Sequence, residues 1–143
     1  MSIFENNEDY KLSKENAKDV LNKFFARLRI NVDNIDDKET KSMVKKSIPR
    51  LIDSIRRGDL EFISTENDYR IKLNLIDGTN SIEFKIPGAI AKKAMGEKSM
   101  TDLYGRIYAL MGSACEMGEG AIDKLDPVDL PIVEVLGAIF LAL

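Results

Sequence analysis

The sequence predicts an α+β fold with N-terminal helices, a three-stranded antiparallel β-meander and a C-terminal helical subdomain. Apolar residues recur at helical spacing in two stretches before Gly58. Between Tyr69 and Ile86 the period drops to two. After Pro87 the helical pattern returns and ends in a strongly apolar stretch from Leu130.

Taken in order, Ser13 is an N-cap residue, and Ala17, Val20, Leu21, Phe24, Phe25 and Leu28 follow on one helical face, with Lys14, Lys18, Lys23 and Arg27 around the rest. The run from Asn31 to Asp36 breaks the pattern. Asp36 and Glu39 have capping-box spacing and open a second helix, whose stripe is Val44, Ile48, Leu51, Ile52 and Ile55. Pro49 lies inside that stripe, where it removes a donor and clashes with the preceding turn, so a kink or a break into two short helices is expected. Gly58 is a helix stop, with Arg56 and Arg57 suited to the negative end of the helix dipole. The same capping accounts for the tripeptide Arg57-Gly58-Asp59, which otherwise spells an integrin-binding motif.

Strands are expected over 60–64, 69–76 and 81–86. Tyr69, Ile71, Leu73 and Leu75 alternate with Arg70, Lys72 and Asn74, and Ile82, Phe84 and Ile86 alternate with Ser81, Glu83 and Lys85. One apolar face per strand means a half-buried antiparallel sheet that helices must cover. The turns fall at Glu66-Asn67-Asp68 and Asp77-Gly78-Thr79-Asn80, the second a strong hairpin signal. A short Ala/Lys-rich helical turn ends at Gly96. Ser99 with Asp102 opens the next helix, whose stripe is Leu103, Ile107, Leu110, Met111 and Ala114. One further helical turn spans 121–125. Asp126-Pro127-Val128-Asp129 then reads as a helix start, with an N-cap acid, Pro at N1 and an acid at N3, opening a last helix from Leu130 to about Leu143.

The organisation these patterns predict is a flexible N-terminus over 1–12, a helical arm over 13–58, the β-meander over 59–87 and a C-terminal helical region over 88–143, with 58–143 and the second helix as one folding unit. At 143 residues the chain needs no covalent staples to bury a core. Its single cysteine, Cys115, excludes an internal disulfide framework and fits a reducing compartment. The first eight residues are polar and acidic, without the apolar core of a secretion signal. Residues 130–143 as a helix would reach only about 21 Å, short of a hydrocarbon core of about 30 Å. A cytoplasmic protein is expected.

Chemistry is sparse in the residue set. There is no histidine, which removes Ser-His and Cys-His nucleophiles and His-containing zinc sites. The glycines form neither a phosphate-binding loop nor a dinucleotide fingerprint. The carboxylates Glu116, Glu119 and Asp123, and likewise Asp33, Asp36 and Asp37, do not follow the calcium-loop pattern. Lys41, Lys45, Lys46, Arg50, Arg56 and Arg57 are spread around the second helix and interrupted by acids, without the aromatic interleaving of a single-strand platform. Residues 1–58 carry 13 Lys and Arg against 10 Asp and Glu, and residues 59–143 carry 8 against 14. That mild polarity could steer an acidic partner to the first half, but a solvated helix surface explains it too. No catalytic residue, metal or cofactor is expected, and neither nucleic acid nor membrane as a partner. A helix apolar all round, such as 130–143, is either central to a core or half-covered by a partner protein.

In order and spacing, residues 47–143 resemble the tail assembly chaperones of tailed bacteriophages and related phage-like particles. The resemblance lies in Ile55-Arg56-Arg57-Gly58-Asp59-Leu60, in the meander ending Ile82-Glu83-Phe84-Lys85-Ile86-Pro87, in Leu110-Met111-Gly112-Ser113, and in Ile122 to Leu130 leading to a closing helix with Phe140-Leu141. It implies a non-enzymatic protein of the bacterial host cytoplasm that coats the tape measure protein and helps tail-tube protein polymerise around it, with homo-oligomers possible. It places contacts on the last two helices, with Met111, Leu136, Phe140 and Leu143 as candidates; the same four residues also suit a plain core. In several such systems a longer form arises by ribosomal frameshifting, which would require a slippery heptamer shortly before the codon for Leu143. A structural subunit of a phage tail or baseplate, or a bacterial regulatory or adaptor protein, would carry the same composition.

Overall fold

The computed structural model describes residues 10–96, 98–99 and 101–143. Most of the N-terminus expected to be flexible, residues 1–9, lies outside them. The chain is α+β: helices α1 (Lys14–Leu28) and α2 (Lys38–Arg57) precede strands β1 (Leu60–Ser64), β2 (Tyr69–Asn74) and β3 (Ser81–Lys85). Helices α3 (Ala89–Gly96), α4 (Leu103–Ala114), α5 (Glu119–Asp123) and α6 (Leu130–Leu141) follow.

Helix α1 begins as its sequence predicts, with Ser13 Oγ accepting from the Asn16 N–H at 3.1 Å. Helix α2 starts one residue later than the capping-box spacing predicts. Its cap is Asp37, which accepts from both the backbone N–H (2.9 Å) and the hydroxyl (2.5 Å) of Thr40. Of two adjacent acids the second wins, because Thr40 is buried at that position and brings its own hydroxyl to the carboxylate.

Pro49 does not break α2, which runs uninterrupted from Lys38 to Arg57. Both Pro49 and Lys45 are exposed, so the Lys45 carbonyl deprived of its helical donor faces water. The helix ends at Gly58, whose φ of +79° suits the left-handed turn; Gly58 N–H bonds Ile55 O (3.1 Å) and Asp59 N–H bonds Ser54 O (3.0 Å). The Arg56 carbonyl, another orphan of this helix end, accepts from Lys11 N–H at 2.6 Å and Leu12 N–H at 3.2 Å. Tyr10 lies under the Arg56 guanidinium, 3.8 Å from ring centroid to carbon, and its hydroxyl donates to Asp53 at 2.7 Å. Residues 10–12 are thus tied to the end of α2.

The sheet is antiparallel in the order β1-β2-β3. Its register stacks Leu60, Leu73 and Ile82 in one cross-strand row and Phe62, Ile71 and Phe84 in the next, all but Phe62 buried. The opposite face carries the row Glu61, Lys72, Glu83, with unlike charges side by side. Strand β2 stops at Asn74, two residues short of the expected end at Ile76, because the N–H of Ile76 leaves the ladder for the carboxylate of Asp129.

All described elements feed one core, the short 3₁₀ turn Val32–Asn34 through the partly buried Val32 and the α5 region through Cys115, Ile122 and Leu125. Helix α6 is its centre, packed between α2 and α4, with every residue from Ile132 to Phe140 buried except Glu134. Glu134 accepts from Tyr108 Oη at 2.8 Å, and burial together with that bond pushes the Tyr108 phenol up to about 12. Phe24 of α1 joins three layers: its ring lies 4.6 Å from Phe62, 6.4 Å and parallel to Tyr69, and 6.4 Å edge-on to Phe140.

Helix α4 opens at Asp102, which accepts from Gly105 N–H at 2.9 Å; Ser99, predicted to open it, instead lies in the preceding turn with Asp102 N–H bonded to its carbonyl. The assigned start of α6, Leu130, is later than the Asp126-Pro127 signal implies. Asp126 still behaves as a cap, since its carbonyl accepts from Leu130 N–H (3.0 Å) and its carboxylate from Val128 N–H (2.8 Å). Pro131 has no N–H to return to Pro127, which interrupts the ladder for one step.

Helix α4 approaches the α4–α5 loop so closely that a Cβ on Gly112 would sit 2.5 Å from Glu119 N and Gly118 C, both backbone atoms. Gly120 has open space. Gly112→Ala is expected to destabilise by about 1–3 kcal/mol, and Gly120→Ala to be neutral or stabilising by up to about 1 kcal/mol. Urea midpoints of the two variants check this; equal midpoints would contradict the packing.

Candidate functional site

The sequence-predicted contact residues divide by burial. Met111 and Leu136 are 0% exposed and Phe140 1%, and they meet other side chains of the core; Leu143 is 40% exposed. The all-round apolar helix is therefore covered by this chain's own α2 and α4. Cys115 is half-buried, its thiol donating to Gly112 O at 3.4 Å, and burial pushes its pKa up. Glu116 pairs with Lys85 (2.8 Å) and Glu119 with Lys98 (3.1 Å), which separates the first acid cluster; Asp33 pairs with Lys45 (2.7 Å) while Asp37 caps α2. Among the described residues no three acid or cysteine side chains are grouped to hold a metal ion, and no helix is long and apolar enough to cross a membrane.

An open groove of about 510 Å³ lies between the second half of α2, the end of β2 and the start of α6. Leu73 and Ile132 form its floor, both buried, while Ile76 and Val128 stand at its rim at 60% and 61% exposure. Their placement follows from one hydrogen-bonded junction: Asp129, 6% exposed, accepts from the Ile76 N–H through both oxygens at 3.1 and 3.3 Å. That bond joins the hairpin to the start of α6, so Ile76 and Val128 line the same groove. The hairpin itself is fixed by Asp77, which accepts from Asn80 and Thr79 N–H at 2.9 and 2.8 Å and from Asn80 Nδ2; those donors bring its pKa down to about 2.

The α2 wall of the groove carries Arg50, Asp53 and Arg57. Arg57 Nε bonds Asp53 at 2.9 Å. Burial opposes ionisation of Asp53, but the hydrogen bonds from Tyr10 and Arg57 hold it below its ordinary value. The opposite wall carries Asp59 and Asp129. Burial pushes both up; Asp53 and Asp129 add to this at Asp59, against Arg57 and Lys11, and at Asp129 the Ile76 N–H opposes it while Asp126 and Asp77 add to it.

Sequence reasoning took Asp129 for an N3 acid and did not single out Ile76 or Val128. A signal was present at Ile76, an apolar residue in the phase of Arg70, Lys72 and Asn74, where the strand pattern calls for a polar one. No protein-family model matches the chain, and comparison with curated proteins and with solved structures gives no match.

Because ionised Asp129 is disfavoured by burial, its contribution to stability is full below the ordinary carboxylate range and is lost as pH rises through its raised pKa. Asp129→Asn keeps an acceptor for Ile76 N–H and removes the charge. Its urea midpoint relative to the parent is expected to rise between about pH 4 and pH 7. A relative fall over that window would show that the junction prefers the carboxylate.

Proposed function

We propose that the protein is a non-enzymatic binding protein, a tail assembly chaperone of a tailed bacteriophage or phage-like particle. It holds the tape measure protein and assists tail-tube assembly around it in the host cytoplasm. The observation that supports this reading is the meeting of two sequence segments that carry the family resemblance. Arg57 and Asp59 of the first, and Pro127, Val128 and Asp129 of the last, line the same groove. Beside it stand the exposed Ile76 and Val128. A long helical client has apolar stripes that need covering until it is assembled, and an open groove with an apolar rim suits transient cover of that kind. The contacts belong at this rim and at Leu143, since Met111, Leu136 and Phe140 are occupied within the core.

Co-expression of the full chain with the tape measure and tail-tube products of its neighbouring genes tests the proposal. The soluble fraction of the tape measure protein is expected to rise several-fold, and mass spectrometry of purified particles is expected to find this chain absent. An insoluble tape measure protein would refute the chaperone role. Stoichiometric retention in particles would instead make the chain a structural subunit of the tail or baseplate, and a neighbourhood with no tail genes would favour an adaptor unrelated to phage.

A further inference from the structure

On the reading of the chain as a binding protein, we infer that the groove between α2 and the start of α6 takes a partner segment that presents an apolar side chain next to a single lysine or arginine. Shape supplies the apolar half of this specification. The floor of Leu73 and Ile132 is closed off from water, and the rim residues Ile76 and Val128 extend it outward over an opening large enough for one or two aliphatic side chains.

Charge supplies the other half. The groove's two arginines do not balance its three acids: Arg57 is engaged by Asp53 at 2.9 Å, whereas neither Asp59 nor Asp129 forms an ion pair among the described residues. Asp129 spends its oxygens on one backbone N–H, and the charges that act on it are those of Asp126 and Asp77, also acids. Burial is the main cause of the raised proton affinity of Asp59 and Asp129, and the neighbouring acids add to it, against Arg57 and Lys11 at Asp59 and the Ile76 N–H at Asp129. A cation brought against that wall by a partner would be favoured, more so as the partner's apolar residue displaces water from Ile76 and Val128. Arg50, exposed on the opposite wall and without an ion pair among the described residues, limits the basic character the groove tolerates. It selects a lone cation beside an apolar anchor over a polybasic run.

The test uses the full chain and three fluorescent amphipathic helical peptides with the same leucine stripe. One carries a single lysine beside the stripe and glutamine elsewhere, a second has glutamate in place of that lysine, and a third has glutamine there. By fluorescence anisotropy the lysine peptide is expected to bind about tenfold tighter than the glutamine peptide, and the glutamate peptide more weakly than either. Val128→Lys, at a 61% exposed position, is expected to weaken the lysine peptide at least about tenfold. Ile90→Lys, at 82% exposure outside the groove, is expected to change it less than about twofold. Equal binding of lysine and glutamate peptides, equal effects of the two variants, or no binding would overturn the inference. So would concentration-dependent self-association that Val128→Lys abolishes, since the groove would then hold a second copy of this chain. Peptide binding as expected alongside a failed tape measure co-expression would leave the groove's preference standing and remove only the phage client; the converse would keep the client and move its site elsewhere.

Discussion

The burial of α6 is the constraint on which the remaining structure depends. A helix with eight of the nine residues from Ile132 to Phe140 buried apolar or glycine cannot lie on a surface. Fully burying one such aliphatic or aromatic side chain is worth about 1.5–3 kcal/mol, so covering the whole helix dominates the choice of fold. Helices α2 and α4 supply two walls. The approach is close on the α4 side, where a Cβ on Gly137 would sit 2.6 Å from Ile107 Cγ2. The sole charge in the stretch, Glu134, is retained at the edge by Tyr108. With α6 fixed, Phe140 presents an edge to Phe24, and through it α1 and the sheet join the same core.

The surface inherits its features from that arrangement. Bringing α6 to the centre puts its first turn against the end of β2, where Asp129 meets the N–H of Ile76. A buried carboxylate in that place costs desolvation, and a single backbone partner offsets only part of it. The junction holds because it satisfies a donor that would otherwise be stranded where the strand ends. Its by-product is a groove with an apolar rim and an acidic wall.

Much of this order was readable one-dimensionally where local physics decides. Ser13, Gly58 and the period of two from Tyr69 mark their elements because a cap, a left-handed turn and a pleat each depend on near neighbours. The failures share a cause. Asp36 and Asp37 are equivalent in sequence, and only the burial of Thr40 distinguishes them. Pro49 predicts a break, but exposure of the freed carbonyl and packing on the other side of α2 carry the helix through. An all-round apolar helix says that something covers it and not what. The groove was the least legible part, since Asp129 and Ile76 lie 53 residues apart and neither carries a motif for the other.

The central place of α6 also governs the order of events at synthesis. It is the last of the described elements to be made, yet Phe24 of the first helix and the apolar rows of the sheet close against a core that contains it. A nascent chain that has not reached residue 130 can pair α1 with α2 and the sheet but lacks α6 to fill the core between them, the kind of intermediate prone to association. Contacts between elements as far apart as α1 and α6 delay productive closure until translation has delivered α6. Full closure of the core is thus held open until α6 is made, although every other described element is already in place.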